Sequence, residues 1–199
     1  MAKIYNKEKL DLSFFSNRNT ITVAKKLIGT ILVHESKNGI TAGKIVETEA
    51  YLSTNDPACH AAKGKTQRNE AMFCRAGIAY VYLIYGSYYC FNVVTNKEDI
   101  GEAVLIRALE PVEGIELMKE RRTPKEKLEE LTSGPGKLCI AMGITREHDK
   151  ADLTDSHLYL ARGTYINEDK ISSSTRIGIS KGKEKLWRFY LKNNKFVSR

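Results

Sequence analysis

Two glutamates and a tyrosine alternate along residues 44–52 (KIVETEAYL). Successive side chains of a β-strand point to opposite faces, so one face would carry Ile45, Glu47, Glu49 and Tyr51. Carboxylates on such a face usually meet solvent, and the alternative is that they line a cleft. Two carboxylates beside an aromatic ring make this face the first candidate site.

Tyrosine is concentrated in residues 80–89, which hold half of the ten tyrosines of the chain. The β-branched and aromatic content of residues 78–95 predicts two strands that are separated at Gly86 and Ser87. Most of these rings can pack across a sheet. Tyr85 directly precedes the turn, where a large ring would project instead, and an exposed ring of this size needs an explanation.

Arg107 and His60 are two further candidates. Arg107 lies inside the apolar stretch 103–109, so its guanidinium must reach solvent, a carboxylate or a polar cavity, and a structural salt bridge is an open alternative. His60 lies in the polar segment 55–72, which we expect to be a long ordered loop. Taken alone, His60 is more simply interpreted as a loop histidine bonded to the backbone.

The composition is that of a folded globular protein, with 42% hydrophobic and 28% charged residues among 199. We expect one domain over 1–199, with residues 1–20 as a more loosely packed N-terminal extension. The net charge of +8 and the pI near 9.2 favour a polyanionic partner. The chain has no long apolar stretch, so we expect a cytoplasmic protein without a signal peptide or membrane span.

The four cysteines lie far apart and form no CxxC pair. Neither a zinc site nor a redox dithiol is therefore predicted, and reduced, mostly buried thiols are the simpler interpretation.

Hydrophobic spacing and turn residues predict a mixed order of helices and strands. We expect helices over 21–29, 111–122, 125–131 and 137–143. We expect strands over 30–34, 41–52 and 103–109, the first two joined by a turn at Lys37-Asn38-Gly39, and short strands near Leu158, Ile177 and Phe189. Such a mixture fits an α/β domain with an antiparallel or mixed sheet.

Four blocks of the sequence closely resemble the alkyladenine, or 3-methyladenine, DNA glycosylase family. They are VETEAYL at 46–52, YVYLIYGSYYCFN at 80–92, VLIRALEP at 104–111 and SGPGKLC at 133–139. The blocks follow the order of the family, and the resemblance covers nearly the whole chain from about residue 21.

The resemblance implies a mixed α/β (α+β) fold. A single compact domain would hold a curved antiparallel sheet, flanking helices and a β-hairpin that protrudes into the DNA minor groove. Tyr85 at the hairpin tip would wedge into the base stack and fill the gap left by a flipped nucleotide. A flipped base costs a few kcal/mol of pairing and stacking, which an inserted ring partly offsets.

The resemblance also assigns the residues of a base-binding pocket. Glu49 matches the catalytic carboxylate, and Tyr51, His60 and Tyr82 match three rings that stack on the flipped base. Arg107 matches an arginine near the attacking water, and no such role falls on Glu47. Asn92 matches an asparagine on the pocket floor that rejects bases with an extra exocyclic amino group.

Arg68, in TQRN, and Lys137, in SGPGKL, lie in matched blocks and are candidates for contacts with DNA phosphates, although both also fit an ordinary surface position. The chain departs from vertebrate members of the family at Ser87 and Phe91, and its loop between His60 and Arg68 is one residue shorter. The resemblance implies no metal and no organic cofactor.

The implied activity is hydrolysis of the bond between an alkylated or deaminated purine and deoxyribose in double-stranded DNA, by a monomer without an obligate protein partner. The substrate purines would include 3-methyladenine and 7-methylguanine, with hypoxanthine and ethenoadenine as further candidates. A positive charge on an alkylated purine weakens the glycosidic bond and favours stacking on electron-rich rings. A water activated by Glu49 would leave an abasic site without cutting the strand.

Two other functions compete with this one. A damaged-DNA sensor without catalysis would need the stacking rings and Tyr85, but neither Glu49 nor Arg107. A hydrolase of free nucleosides would need the carboxylate and the rings, but neither the basic charge nor an exposed Tyr85.

Overall fold

In the computed structural model, which describes residues 8–122 and 127–198, one long strand organises the sheet. This strand, β2 (Gly39–Tyr51), runs antiparallel to three others: β1 (Ile31–Ser36), β5 (Ala103–Glu113) and β8 (Arg188–Leu191). The sheet is completed by β3 (Ala79–Ile84), β4 (Tyr88–Val94), β6 (Leu158–Ala161) and β7 (Ile171–Ser174). The order is β3-β4-β5-β2-β1-β6, with β7 paired to β8.

Short helices flank the sheet: α1 (Leu12–Ser16), α2 (Thr20–Leu27), α3 (Ile115–Arg121) and α4 (Pro135–Met142). Single 3₁₀ turns cover His60–Lys63, Glu70–Phe73, Leu128–Glu130, Arg146–His148 and Glu168–Lys170. The α2 helix begins at an Asn19 cap whose side chain accepts from the Thr22 N–H. The mixed α+β class with an antiparallel sheet is confirmed.

Several predicted elements are confirmed. The helix at residues 21–29 is α2, the predicted hairpin is β1–β2, and residues 78–95 form β3 and β4. The helix expected at 137–143 is α4, and the strands near Leu158 and Phe189 are β6 and β8.

Three predicted elements differ from the structure. The helix expected from residue 111 begins only at Ile115, because Pro111 still pairs with Gly43 and the chain leaves the sheet through Gly114 at φ 71°. Of the helix expected over 125–131, residues 125–126 lie outside the described residues and the rest forms only a 3₁₀ turn. No strand forms at Ile177, whose N–H donates to the Glu49 carboxylate instead of to a neighbouring strand.

A bulge in β2 interrupts the predicted alternation of side chains. Pairing with β5 shifts register on both sides of Glu47. Ile45 therefore joins the main core together with Ala50, and the expectation that it shares a face with the glutamates is wrong. Glu49 and Tyr51 do share a face, since the Tyr51 hydroxyl donates to the Glu49 carboxylate.

The main core lies between the sheet and the helices α2 and α4. Val23 and Leu27 of α2 pack with Ile106 of β5, and Leu138 of α4 packs on the same cluster. Leu10 and Phe15 also belong to this core, so the described part of the expected N-terminal extension is packed against the domain. Residues 1–7 lie outside the described residues.

The β3–β4 hairpin is held near its tip by the start of α4. A Cβ added at Gly136 would lie 3.0 Å from the Tyr88 Cβ, so glycine permits the close approach of the helix to the hairpin. This contact fixes the hairpin beside residues 133–137.

All four cysteines are free thiols, and Cys59, Cys90 and Cys139 are buried, as expected. Within residues 8–122 and 127–198, no helix has the length and apolar character that a membrane crossing requires.

Two histidines link β1 to the 3₁₀ turn beneath β3. His34 Nδ1 lies 2.7 Å from the Met142 carbonyl oxygen, so it carries the proton, and its Nε2 accepts from His148 Nε2 at 3.1 Å. His148 Nδ1 can then accept from the Thr145 N–H at 3.1 Å. The His34 ring is neutral in this chain of hydrogen bonds, because a proton on its Nε2 would face the N–H that His148 donates.

We therefore expect the protein to lose stability in acid partly through His34. Burial lowers the pKa of His34 below its usual 6.5, so the unfolded chain takes up this proton first as the pH falls. The contribution is fully present above pH 6.5 and is lost below it, with a limiting slope of about 1.4 kcal/mol per pH unit. Urea unfolding of wild type and His34→Gln between pH 5 and 8 measures this slope.

The His34→Gln variant should show a shallower loss of unfolding free energy below pH 6.5 than wild type. Equal slopes in wild type and His34→Gln would contradict the assignment.

Candidate active site

A cavity of about 890 Å³ opens beside the β3–β4 hairpin. Its walls come from β2–β5, the loop after β2, the start of α4 and residues 177–181. Of the predicted site residues, it brings together Tyr51, His60, Tyr82, Tyr85, Asn92, Arg107 and Lys137.

Glu49 lies directly beneath the cavity wall and has no exposed surface. One carboxylate oxygen, Oε1, accepts from the Ile177 N–H at 2.8 Å and lies 3.4 Å from Arg107 Nη1. The other, Oε2, accepts from the Tyr51 hydroxyl at 2.8 Å. The three groups that bind Glu49 also line the cavity, so they separate the carboxylate from it by one layer of atoms.

Burial, and then the negative charge of Glu49, raise the pKa of Tyr51 above its usual range. The Tyr51 hydroxyl therefore keeps its proton and acts as a donor to the carboxylate.

Arg107 bridges the two glutamates of β2. Its Nε lies 3.1 Å from Glu47 Oε1, and its Nη1 points to Glu49. Both carboxylates are completely buried, so the glutamates do not meet solvent. Arg107 and the two glutamates form a buried network of ion pairs. Removal of one partner from such a network leaves an uncompensated buried charge and is strongly destabilising.

Glu47, for which the sequence suggested no role, is the most fully bonded carboxylate in this network. Besides Arg107, it accepts from Arg188 Nε at 2.6 Å. The backbone N–H and hydroxyl of Ser198 reach it at 2.7 and 2.9 Å. Ser198 lies 151 residues away in sequence, so no local spacing pattern could have indicated the contact.

Aromatic rings form one side of the cavity. The His60 ring meets Tyr82 edge to face with 4.6 Å between centroids, and His60 Nδ1 lies 2.9 Å from the Tyr80 hydroxyl. Surrounding protein atoms, and then the charge of Arg68, lower the pKa of His60 below 6.5 although part of its ring is exposed. His60 is therefore mainly neutral at pH 7, and this wall carries no positive charge.

Asn92 is held by a hydrogen bond across the β3–β4 pair. Its Nδ2 donates to the Tyr80 carbonyl oxygen at 3.0 Å, which fixes the amide in the cavity wall. This bond engages one of the two Nδ2 hydrogens, and the second remains able to donate.

Tyr85 occupies the tip of the hairpin with 83% of its surface exposed. Its φ of 53° lies in the left-handed region, which bulky residues rarely adopt. A strained and exposed aromatic residue at a turn favours a functional explanation over a packing one.

The two predicted phosphate contacts lie on different sides of this hairpin. Arg68 is exposed and donates to the Leu83 carbonyl oxygen at 3.2 Å, outside the cavity lining. Lys137 lines the cavity in the first turn of α4. Arg68 therefore lies against β3 outside the cavity, and Lys137 lies in the cavity wall.

Sequence reasoning missed the buried pair of Asp56 and Arg176. Two hydrogen bonds of 2.6 and 2.7 Å join these side chains, which lie 120 residues apart in sequence. In residues 8–122 and 127–198, no three histidine, cysteine or acidic side chains come together in a way that could hold a metal ion.

Known proteins resemble this chain over most of its length. The model of the family described as methylpurine-DNA glycosylase matches residues 13–195. A Clostridium acetobutylicum protein is 51% identical, with 96% of this chain and 97% of that protein covered. A Carboxydothermus hydrogenoformans protein is 52% identical, with 93% and 96% covered. A Prosthecochloris aestuarii protein is 47% identical, with 93% and 89% covered.

All three relatives carry the name "Putative 3-methyladenine DNA glycosylase". The family match spans most of the chain, and the relatives align over nearly their full lengths. This chain belongs to the methylpurine-DNA glycosylase family.

Proposed function

We propose that this chain is a monofunctional DNA glycosylase that flips alkylated or deaminated purines out of double-stranded DNA and hydrolyses their bond to deoxyribose. The observation that carries the proposal is the buried Glu49, held by Tyr51, Arg107 and the Ile177 N–H beneath an aromatic cavity. The exposed Tyr85 beside the same cavity supplies the means to open a base stack.

The cavity suits a positively charged purine. Tyr51, His60 and Tyr82 offer ring faces or edges, and the attraction between a cation and an aromatic ring strengthens when both are removed from water. Neutral His60 avoids repulsion between two cations. A base methylated at N3 or N7 therefore binds better than its undamaged parent, in line with 3-methyladenine and 7-methylguanine as substrates.

Hydrolysis proceeds with Glu49 as the general base. A water oxygen attacks C1′ of the sugar as the glycosidic bond breaks, the bonding electrons leave with the purine, and Glu49 takes the water proton. The ionised carboxylate also stabilises the positive charge that develops on the sugar. Arg107, at 3.4 Å from Glu49 and at the cavity surface, orients the water.

Water must reach a carboxylate that the free protein covers. The Tyr51 hydroxyl occupies one position on Oε2, and a carboxylate oxygen can accept a second hydrogen bond. Active-site hydrogen bonds commonly reach catalytic geometry only in the complex with substrate. A small displacement of Tyr51 as a base stacks on it opens this second position.

Two features separate this proposal from its competitors. A damaged-DNA sensor gains nothing from two buried carboxylates that must be neutralised by Arg107 and Arg188. A free-nucleoside hydrolase gains nothing from a strained tyrosine with 83% exposure at a hairpin tip.

Replacement of Glu49 should stop the chemistry and keep the binding. With a duplex that carries one hypoxanthine or ethenoadenine, Glu49→Gln should retain a Kd near that of wild type, while single-turnover base release falls by about 10³-fold or more. Alkali should be needed to cut the strand at the abasic site formed by wild type. Release by Glu49→Gln at a rate near wild type would overturn the role of Glu49.

Glu47→Gln is the matched control, because it makes the same chemical change on the same strand and within the same network. It should slow release less than Glu49→Gln, since Glu47 reaches the reaction only through Arg107. Thermal unfolding of both variants shows whether either loss of rate reflects loss of fold.

Replacement of Tyr85 should separate stability from activity. Asparagine tolerates the left-handed backbone at φ 53°, so Tyr85→Asn should keep or raise the unfolding free energy, by up to about 1 kcal/mol. Base release from duplex DNA should fall at least tenfold. Tyr165, equally exposed at 83% and away from the hairpin, provides the control, and Tyr165→Asn should keep the wild-type rate. Equal rates in both variants would argue against a wedge.

Replacement of Arg68 or Lys137 should make DNA binding less dependent on salt. If Arg68 and Lys137 each contact a phosphate, then Arg68→Gln and Lys137→Gln should each lower the slope of log Kd against log salt concentration by about 0.9. Binding to damaged and undamaged duplexes should weaken by similar factors, since phosphates carry no lesion information. An unchanged slope would remove that residue from the interface.

A further inference from the structure

Asp56 and Arg176 form an ion pair in the interior behind the cavity. Arg176 Nη1 and Nη2 reach the two oxygens of Asp56 at 2.7 and 2.6 Å, and both side chains are completely buried. Nη1 also donates to the Ala50 carbonyl oxygen at 2.9 Å. Arg176 Nε is buried and has no hydrogen-bond partner, so hydrogen bonding alone does not account for the position of the guanidinium.

The guanidinium of Arg176 lies over the Tyr51 ring, 4.6 Å from its centroid. Tyr51 lines the cavity and Arg176 does not, so the cation contacts the ring from the protein interior. The Trp187 ring also lies against Arg176, at 5.2 Å, and carries Lys185 Nζ at 4.6 Å. Tyr51 is thus a thin aromatic wall with a positive charge behind it.

A cation behind an aromatic wall opposes a second cation in front of it. The wall attracts a charged purine through its electron-rich face, and the charge of Arg176 acts through the same ring in the opposite direction. Asp56 offsets that charge with a carboxylate in direct contact. The charges behind Tyr51 therefore cancel only while both Asp56 and Arg176 are present.

We propose that the Asp56–Arg176 pair sets the preference of the cavity for cationic over neutral damaged purines. Asp56 does so by cancelling the charge that Arg176 places behind Tyr51. The inference rests on the proposed function, because it concerns which damaged bases the cavity retains. In this role both residues act through Tyr51 and do not touch the substrate.

The charge is close enough to matter. A purine stacked on Tyr51 would lie about 8 Å from the guanidinium. At an effective dielectric constant of about 20, repulsion between two unit positive charges at this distance raises a Kd on the order of ten- to thirtyfold. A neutral purine at the same place is affected far less. The ratio of the two Kd values therefore reports on the charge, whereas general damage to the wall would raise both values together.

The experiment measures the Kd of duplexes that carry 7-methylguanine, which is cationic, or ethenoadenine, which is neutral. A 2′-fluoro group on the lesion nucleotide slows cleavage by opposing positive charge on the sugar, so Glu49 remains intact. Asp56→Asn leaves an uncompensated cation and should raise the Kd for 7-methylguanine about tenfold more than that for ethenoadenine. The double variant Asp56→Asn/Arg176→Gln removes both charges and should return the ratio to the wild-type value.

Two further variants complete the test. Arg176→Gln alone leaves the carboxylate behind the wall and should shift the ratio of the two Kd values in favour of 7-methylguanine. Either single variant that folds therefore decides the question. Asp152→Asn makes the same change in an aspartate that pairs with Arg75 away from the cavity, and it should keep the wild-type ratio.

An unchanged ratio of the two Kd values in Asp56→Asn and Arg176→Gln, with both Kd values raised equally, would contradict the inference. The pair would then only support the structure of the wall. The proposed function fails separately, if wild type releases neither base from duplexes with ordinary deoxyribose. Release of both bases with an unchanged ratio in the variants would contradict this inference alone.

Discussion

The structure depends on the burial of two carboxylates in one strand. Glu47 and Glu49 lie two residues apart in β2 with no exposed surface, and the cost of removing them from water must be met by cations and hydrogen-bond donors. Arg107 comes from β5, Arg188 from β8 and Ser198 from the chain beyond β8. Two of the three strands that pair with β2, and the end of the described chain, therefore each supply partners to these carboxylates.

The two carboxylates differ in their surroundings. Glu47 is bound by Arg107, Arg188 and Ser198, of which only Arg107 lines the cavity. Glu49 is bound by Tyr51, Arg107 and the Ile177 N–H, all of which line the cavity. One strand thus carries a carboxylate held by structural partners and the carboxylate that we propose as the general base. The bulge at Glu47 contributes to this difference, because it changes which side chains of β2 point into the core and which point toward the cavity.

Local pattern predicted most of the elements, and the family resemblance pointed to residues of which seven line the cavity. Spacing predicted α2 and the two hairpins because turn residues and apolar periodicity act over a few residues. The resemblance distinguished Glu49 from Glu47, which alternation alone could not do. The bulge, the late start of α3 and the contacts of Ser198 and Arg176 escaped prediction because they depend on residues distant in sequence. Pairing of Pro111 with Gly43 and of Arg176 with Asp56 leaves no local signal.

The central claim is that Glu49 and Arg107 act as one unit on the attacking water. A double-mutant cycle on single-turnover base release tests it most directly, with Glu49→Gln, Arg107→Gln and the combination compared on one hypoxanthine duplex. If the two side chains act together, the double variant should be no slower than the slower single variant. Losses that multiply in the double variant would mean that the two residues act independently, which contradicts the account.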